Sequence, residues 1–254
     1  MSRPIDLANV SKSFDAVEAL DSIDLHLEAG TFTAVVGPSG SGKSTLLRLI
    51  GGLATPSSGL ITIDGRSPNE VRANKEIGWM AQQPALLPWK TVADNVALAQ
   101  SLNPRPERPT PDPEKLLAMV GMADFAAAYP ASLSGGMQQR VALARTLAVG
   151  ASVWLMDEPF SALDELTREN LADELLAIWE RIRPTVVWVT HHIPEAVKLA
   201  DSLVLLSPRP SRLVEVVSVD LPRPREEHSE LFQNVVGRAR AGLRLADAPL
   251  GAAG

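Results

Sequence analysis

The sequence predicts an α/β fold, in which a parallel β-sheet carries helices on both faces, together with an antiparallel β subdomain and an inserted α-helical subdomain. Three patterns in the 254 residues indicate this class. Short, uninterrupted apolar runs are typical of parallel strands that are buried on both faces. A segment near the amino terminus instead alternates apolar and polar residues, as strands with one wet face do. A helical stretch with many prolines separates the first apolar run from the others.

The amino-terminal strands are predicted to be antiparallel. From position 23 to 28, Ile and Leu alternate with Asp, His and Glu, and Ile61 and Ile63 later repeat this period of two. The Asp64-Gly65 dipeptide is typical of a turn, and so is the segment 57–59 just before the second strand. These segments therefore predict a small sheet with one face exposed to water.

The strands of the parallel sheet are predicted from four apolar runs: Phe32–Val36, Val153–Met156, Val186–Val189 and Leu203–Leu206. The first three runs end at polar residues: Gly37, the pair Asp157 and Glu158, and the pair Thr190 and His191. In open α/β sheets, ligands bind beyond the carboxyl ends of the strands. Three candidate active-site motifs therefore lie where such a fold would bind a ligand.

The stretch from 85 to 150 is predicted to be a helical subdomain. Residues 103–113 carry five prolines, which predict a stiff, extended loop. A helix is predicted from Ser134, as its N-cap, to Val149, with Gly150 as the stop. The predicted division is a core with the antiparallel subdomain (1–84 and 151–221), the helical subdomain (85–150) and a short C-terminal tail (222–254). In the tail we expect one short helix over 229–245 and a frayed end.

The composition excludes several classes of protein. The net charge of −6 and the pI near 5.3 argue against a nucleic-acid partner, because such partners require a basic surface. Cysteine is absent, which excludes disulfides and thiolate metal sites and fits a cytosolic protein. The first residues lack the apolar region of a signal peptide, and no apolar stretch reaches the roughly 18 residues of a membrane span.

The segment after the first apolar run matches the phosphate-loop pattern G-x-x-x-x-G-K-[ST]. It lies between the strand 32–36 and a helix predicted over 45–53, which is the context that the motif requires. The glycines let backbone N–H groups surround phosphate at the positive end of a helix. We expect Lys43 to neutralise the β- and γ-phosphates and the Ser44 hydroxyl to bind Mg²⁺. The predicted nucleotide-binding residues are Gly37, Pro38, Ser39, Gly40, Ser41, Gly42, Lys43, Ser44 and Thr45.

Two carboxylates end the buried strand that begins at Val153. Beside a phosphate loop, Asp157 is predicted to hold Mg²⁺ through water, and Glu158 to orient or deprotonate an attacking water. Taken alone, such a pair would be two surface acids at a strand end. The phosphate loop is what favours the catalytic interpretation.

A second glycine-rich segment gives the family. Leu133-Ser134-Gly135-Gly136-Met137-Gln138-Gln139 resembles the signature of ATP-binding-cassette (ABC) ATPases. Further positions match that family's pattern: Phe14, Gln82, the run Ser161-Ala162-Leu163-Asp164, and His191. The resemblance covers about 5–219 of the chain. It implies that ATP and Mg²⁺ bind to a P-loop NTPase fold of the ABC type.

The resemblance implies a role for each matched residue. Phe14 would stack on adenine, although tyrosine is commoner there. Gln82 would sense the γ-phosphate and bind Mg²⁺, although Ala81 stands before it where a large aromatic is usual. His191 would be the switch histidine, although His192 stands where the family more often has an acid. This choice of histidine depends on register.

Two phosphate-binding segments in one chain predict a dimer, because one nucleotide does not need both from the same chain. The resemblance implies a head-to-tail dimer that encloses two ATP molecules. Ser134, Gly135 and Gly136, with Gln138, would face the γ-phosphate on Lys43 of the other copy. Free N–H groups at a helix start suit an anion, although Ser134 also suits a simple N-cap. Asp164 would lie near the dimer axis.

The segment 82–96 is similar to importers of nitrate, sulfonates, taurine and thiamine-precursor pyrimidines. Within it, Leu86, Leu87 and Trp89 are either core residues or the exposed groove for a membrane subunit. The importer resemblance implies an ATP-hydrolysing subunit at the cytoplasmic face of the membrane. Its partners would be integral membrane permease subunits and, indirectly, an extracytoplasmic solute-binding protein. The sequence leaves the solute open.

Other ABC proteins are alternatives. A soluble assembly ATPase for iron–sulfur clusters is also a single short cassette, and only the segment Leu86–Trp89 argues against it. A DNA-repair clamp needs long coiled coils and a basic surface. A translation-associated protein usually has two cassettes in one chain, and an exporter often has fused membrane helices.

Overall fold

The computed structural model describes residues 2–103 and 112–247, which form two β-sheets and the helices packed on them. The strands are β1 (Ile5–Phe14), β2 (Val17–Leu27), β3 (Phe32–Val36), β4 (Ser58–Ile63), β5 (Ile77–Met80), β6 (Val153–Asp157), β7 (Thr185–Val189), β8 (Ser202–Leu206) and β9 (Leu213–Ser218). The helices are α1 (Lys43–Ile50), α2 (Pro68–Ala73), α3 (Val92–Leu102), α4 (Pro113–Met119), α5 (Gly135–Leu147), α6 (Glu165–Ile182), α7 (Ile193–Leu199) and α8 (Glu230–Asp247).

The larger sheet has six strands in the order β5-β6-β7-β3-β8-β9. The first five are parallel, and β9 adds an antiparallel edge. All four predicted apolar runs are strands of this sheet, which confirms the α/β class. Val189 of β7 lies opposite both Val35 of β3 and Asp157 of β6. The carboxyl ends of these three strands therefore lie side by side.

The smaller sheet is antiparallel, in the order β2-β1-β4, as the alternating segments predict. Its inward residues, such as Ile23 and Ile63, pack with Leu46 and Leu47 of α1 and with Val35 of the larger sheet. Helix α1 is therefore fixed between the two sheets. It begins at Lys43 and ends at Ile50, so the helix predicted over 45–53 was placed two to three residues too far toward the carboxyl terminus.

The other face of the larger sheet is covered by helices. Trp154, Trp179 and Trp188 are almost fully buried there, with residues of α3, α5, α6 and α7. The predicted helix of the second glycine-rich segment is α5, with Ser134 as its N-cap. Of the predicted proline-rich loop, residues 104–111 lie outside the described part of the chain.

The carboxyl-terminal segment is integrated into the core. The short helix expected over 229–245 is α8, and its Phe232, Val236 and Ala239 are buried against the main cluster. Before it, the buried guanidinium of Arg225 donates to the carbonyls of Val197 and Ala200, at 2.6 Å each, which close the end of α7. The frayed end predicted after this helix lies outside the described residues.

No helix within 2–103 or 112–247 is long and apolar enough to cross a bilayer.

Candidate functional site

The first glycine-rich segment forms a loop around the Lys43 ammonium. It connects β3 to α1, and Lys43 Nζ donates to the carbonyl oxygens of Gly37 and Pro38, each at 2.8 Å. The lysine is only 6% exposed. Burial lowers its pKa, and the carboxylates of Glu158 and Asp157 oppose that shift. The loop therefore places a buried cation where a phosphate group would meet it.

Steric constraints require glycine at two positions of this loop. A Cβ at Gly37 would lie 2.8 Å from the carbonyl oxygen of Leu206. Gly42 has φ +80°, and a Cβ there would lie 2.8 Å from Leu20 Cδ2. Gly42 is also the N-cap of α1 and provides no side-chain cap. The first N–H groups of α1 thus have no capping side chain, which suits an anion.

A second loop, 207–212, supports the phosphate loop from outside. Arg209 Nε donates to the Gly40 carbonyl at 2.8 Å, and Ser211 Oγ donates to the Ser41 carbonyl. The Ser211 N–H also bonds to the Ala19 carbonyl of β2 at 3.1 Å. The sequence interpretation missed these residues. Their position just after β8 was the available indication, because this strand also ends at the ligand-binding edge.

Oxygen ligands suitable for Mg²⁺ lie next to this loop. Ser44 Oγ donates to Asp157 Oδ1 at 3.0 Å, and Asp157 is 4% exposed. Burial raises the pKa of Asp157. The Ser44 hydrogen bond and the charges of Arg48 and Lys43 act in the opposite direction and lower it. A hydroxyl and a carboxylate are hard oxygen donors of the kind that Mg²⁺ prefers. The residues present therefore fit the ion.

Glu158 lies at the meeting point of the three strand ends. Its N–H donates to the Val189 carbonyl at 2.9 Å, and its φ is +47°. Gln82, after β5, donates from Nε2 to Glu158 Oε2 at 3.4 Å. His191, after β7, places Nδ1 3.2 Å from Glu158 Oε1. The structure thus brings together three of the residues for which we predicted catalytic roles.

The two neighbouring histidines point to different partners. His191 contacts Glu158, whereas His192 is the N-cap of α7, and its Nδ1 accepts from the Glu195 N–H at 3.2 Å. Burial lowers the pKa of His192, as do the charges of Arg168 and His191. A neutral ring can accept this bond. The geometry therefore favours His191 as the residue that acts on the site.

The signature segment 133–139 is exposed at its centre. Ser134 Oγ accepts from the Met137 N–H at 3.3 Å, which caps α5, and a Cβ at Gly135 would have no atom within 4 Å. Gln138 Nε2 donates to the carbonyls of Pro130 and Leu133 at 3.0 and 3.3 Å, so this amide holds its own chain. In the described part of the chain, no hydrogen bond or ion pair joins this segment to 37–45.

Two further predicted residues lie at the surface. Phe14, at the end of β1, is 49% exposed, and Lys12 Nζ lies 4.9 Å from its ring centroid. Asp164 caps α6 by accepting from the Thr167 N–H at 3.0 Å, and these hydrogen bonds lower its pKa. The loop before Asp164 contacts the signature, because a Cβ at Gly136 would lie 3.0 Å from the Ala162 carbonyl oxygen.

Comparison with known sequences identifies relatives along most of the chain. An uncharacterized ABC transporter ATP-binding protein of Methanocaldococcus jannaschii is 45% identical over 91% of this chain and 88% of the relative. The aliphatic sulfonates import ATP-binding protein of Bacillus cereus is 42% identical, over 89% and 88%. The nitrate import ATP-binding protein of a Synechocystis species is 44% identical, over 83% and 79%.

The solved structures that resemble this chain are also ATP-binding cassettes. A dimeric ATP-binding cassette in a post-hydrolysis state, bound to ADP and Pi, superposes with a TM-score of 0.75 at 32% identity, over 86% of this chain and all of that one. A second dimeric structure, of a bacterial ABC transporter cassette, gives 0.74 at 32% identity, with the same coverage. The sequence profile described as "ABC transporter" matches residues 20–161. The chain therefore belongs to the ABC transporter family and is an ATP-binding cassette that hydrolyses ATP.

Proposed function

We propose that this cassette drives solute import as a head-to-tail dimer, which ATP binding closes and ATP hydrolysis reopens. The observation that carries the catalytic part is the Glu158 carboxylate, which lies between Gln82 and His191 beside the phosphate loop. The import part rests on the named relatives and on an exposed segment after Gln82. The site would lie at the cytoplasmic face of the membrane.

The residues of one chain would hold the nucleotide as follows. Phe14 offers an exposed ring face for adenine, and the loop 37–45 surrounds the phosphates with N–H groups and with the Lys43 ammonium. Ser44 and Asp157, with the Gln82 amide, would hold Mg²⁺. When bound, this ion neutralises charge that develops on the β- and γ-phosphates.

Glu158 would orient the attacking water and accept its proton. A carboxylate held by two neighbours has a fixed direction, which favours in-line attack on the γ-phosphate. The His191 ring would keep that direction and would also contact the γ-phosphate. Both His191 and Gln82 touch the same carboxylate, so a shift of either residue would change the position of the base.

The second half of the site would come from the other copy of the chain. The centre of the signature is exposed, and among the described residues no hydrogen bond or ion pair joins it to its own phosphate loop. A helix of 13 residues starts in this segment. The N–H groups of its first turn can bind the γ-phosphate. Similar cassettes have been solved as dimers. One ATP would then be enclosed by the loop of one chain and the signature of its partner.

The segment 84–91 would transmit the movement to a permease. Trp89 is 71% exposed, while Leu86 and Leu87 are partly buried. The backbone beneath them is fixed, because Arg145 donates to the carbonyls of Pro84 and Ala85 at 2.7 and 2.9 Å. Arg145 also lines a cavity of about 270 Å³, together with Trp79, Leu98 and Leu102. Exposed apolar surface of this kind is typical of a partner site.

The solute would be a small anion of the kind named in the relatives, nitrate or an aliphatic sulfonate, with taurine and pyrimidine or other vitamin precursors as further candidates. This chain would not contact the solute. An extracytoplasmic binding protein would deliver it to the permease, so binding assays on that protein are needed to identify it.

Affinity purification tests the import function. From native membranes in mild detergent, we expect the tagged chain to bring down a polytopic permease. Trp89→Ala should lose at least about 90% of this permease while keeping its ATPase activity, because the exposed side chain belongs to none of the predicted nucleotide-binding segments and would anchor the interface. Leu60→Ala, which alters a 64% exposed leucine on β4, is the control and should keep the partner. Recovery with soluble partners alone would refute import and favour an assembly ATPase.

Removal of the loop cation should weaken nucleotide binding. We expect Lys43→Ala to lose at least about tenfold in ATP affinity by calorimetry, because charge-assisted hydrogen bonds contribute about 1.5–3 kcal/mol. The exposed Lys115→Ala carries the same change of charge and should bind ATP normally. Unchanged affinity in Lys43→Ala would contradict its phosphate role.

A further inference from the structure

A polar layer lies directly behind Glu158 and His191. Its centre is Glu195 of α7, which is 7% exposed and accepts from Trp188 Nε1 at 2.8 Å. A cavity of about 50 Å³ is lined by Glu158 and His191 of the site and also by Arg168 and Glu195. Neither Glu195 nor Arg168 belongs to the residues proposed to bind or hydrolyse ATP.

Arg168 joins this layer to the loop that carries Asp164. Its Nη2 donates to the Leu163 carbonyl at 3.0 Å, one residue before Asp164. Its Nε lies 3.9 Å from Glu195 Oε2, within ion-pair distance. One guanidinium thus contacts both the loop at the predicted dimer axis and the buried carboxylate.

Glu195 supports the turn that carries His191. Thr190 and Glu195 line the same cavity, and the Thr190 hydroxyl accepts from the His192 N–H at 3.0 Å. The Glu195 N–H in turn donates to the His192 ring. Trp188 and His192, which lie on either side of His191 in the chain, are therefore both hydrogen-bonded to Glu195, and His191 contacts Glu158.

The charge of this layer is costly to bury. Burial raises the pKa of Glu195, and the Trp188 hydrogen bond, the nearby Thr190 hydroxyl and the charge of Arg168 oppose that shift. Buried ion pairs are often replaceable by apolar residues without loss of stability. Perturbed carboxylates beside an active site are more often functional. A role beyond packing is therefore the better account of this pair.

We propose that Arg168 and Glu195 are positioning residues that couple the loop carrying Asp164 to the turn carrying His191. Contact from the second copy at Asp164 would then fix the Leu163 carbonyl, Arg168 and Glu195 in sequence, and hold His191 against Glu158. This inference rests on the proposed roles of Asp164 and His191. Contacts within one chain would then link dimer closure to the position of the Glu158 carboxylate.

A second ion pair between α6 and α7 provides a control for a purely structural role. Lys198 Nζ pairs with Asp173 Oδ1 at 3.2 Å, which also joins α7 to α6. This pair contacts neither the loop at Asp164 nor the turn at His191 in the described structure. Asp173 is 66% exposed, so this pair is more solvated than the pair of Arg168 and Glu195. If tying α6 to α7 were all that mattered, loss of the Asp173 pair would also lower kcat.

The test is steady-state ATPase kinetics of the full chain at pH 8, which favours the carboxylate form of Glu195. Glu195→Gln keeps the volume and an oxygen acceptor for Trp188 but removes the charge facing Arg168. We expect kcat to fall about tenfold with KM for ATP within twofold, while Asp173→Asn keeps the kcat of the parent.

A double-mutant cycle then tests the route. Asp164→Asn should lower kcat in the parent chain and have little further effect in Glu195→Gln, because both changes interrupt the same connection. An unchanged kcat in Glu195→Gln, an equal loss in Asp173→Asn, or losses that multiply independently would each overturn the proposal. Failure of the catalytic site itself would appear separately, as normal turnover in Glu158→Gln.

Discussion

Glu158→Gln is expected to lower ATP turnover by at least about 100-fold while ATP still binds. The amide has the size of the carboxylate and can still contact Gln82 and His191, but it cannot accept a proton from water. General base catalysis contributes about 10²- to 10⁴-fold, so its loss should dominate the kinetics. Phosphate release measures the turnover, and calorimetry measures the binding.

The same variant should reveal the dimer. If hydrolysis is what reopens the dimer, Glu158→Gln with saturating ATP and Mg²⁺ should elute from a sizing column as a dimer. Glu174→Gln, an exposed acid on α6, is the matched control and should hydrolyse ATP normally. A variant that turns over ATP normally would remove Glu158 from the mechanism. A variant that stays monomeric would remove the main support for a composite site.

The parallel strands could be predicted because burial on both faces gives a strand a recognisable sequence pattern. β3, β6, β7 and β8 are covered on both faces, so each is an uninterrupted apolar run. β5 has only 4 residues, with Gly78 in it, and β9 is a half-exposed edge strand, so neither gives a clear pattern. Tertiary pairing with β6 and β8 specifies these two strands.

The residues of the site differ in the same way: some are identified by local sequence, and others only by tertiary contacts. The phosphate loop and the carboxylates after β6 are contiguous in sequence, so residue type and spacing identify them. Arg209 and Ser211 contact the phosphate loop through packing between elements far apart in the chain. A single sequence contains no spacing rule for such contacts, and only the fold shows them.

Gly135→Asp is expected to abolish hydrolysis without harming the chain that carries it. A Cβ at Gly135 meets no atom within 4 Å, and an acid in the first turn of α5 favours the helix dipole. The free energy of unfolding should therefore be unchanged or slightly raised. In the proposed dimer, however, the new carboxylate faces the triphosphate of the other copy. Loss of an anion site typically costs about 10²- to 10³-fold, and like-charge repulsion adds to it.

Three measurements on Gly135→Asp separate a composite site from a site within one chain. ATP affinity of the monomer should equal that of the parent, turnover should fall at least about 100-fold, and Glu158→Gln combined with Gly135→Asp should no longer dimerise with ATP. Gly237→Asp is the control, because Gly237 is an exposed helical glycine of α8 that also has open space around it. If monomer affinity fell together with turnover, the signature would act on its own chain's nucleotide. Because no bond joins 133–139 to 37–45 within the described chain, we expect affinity and turnover to separate.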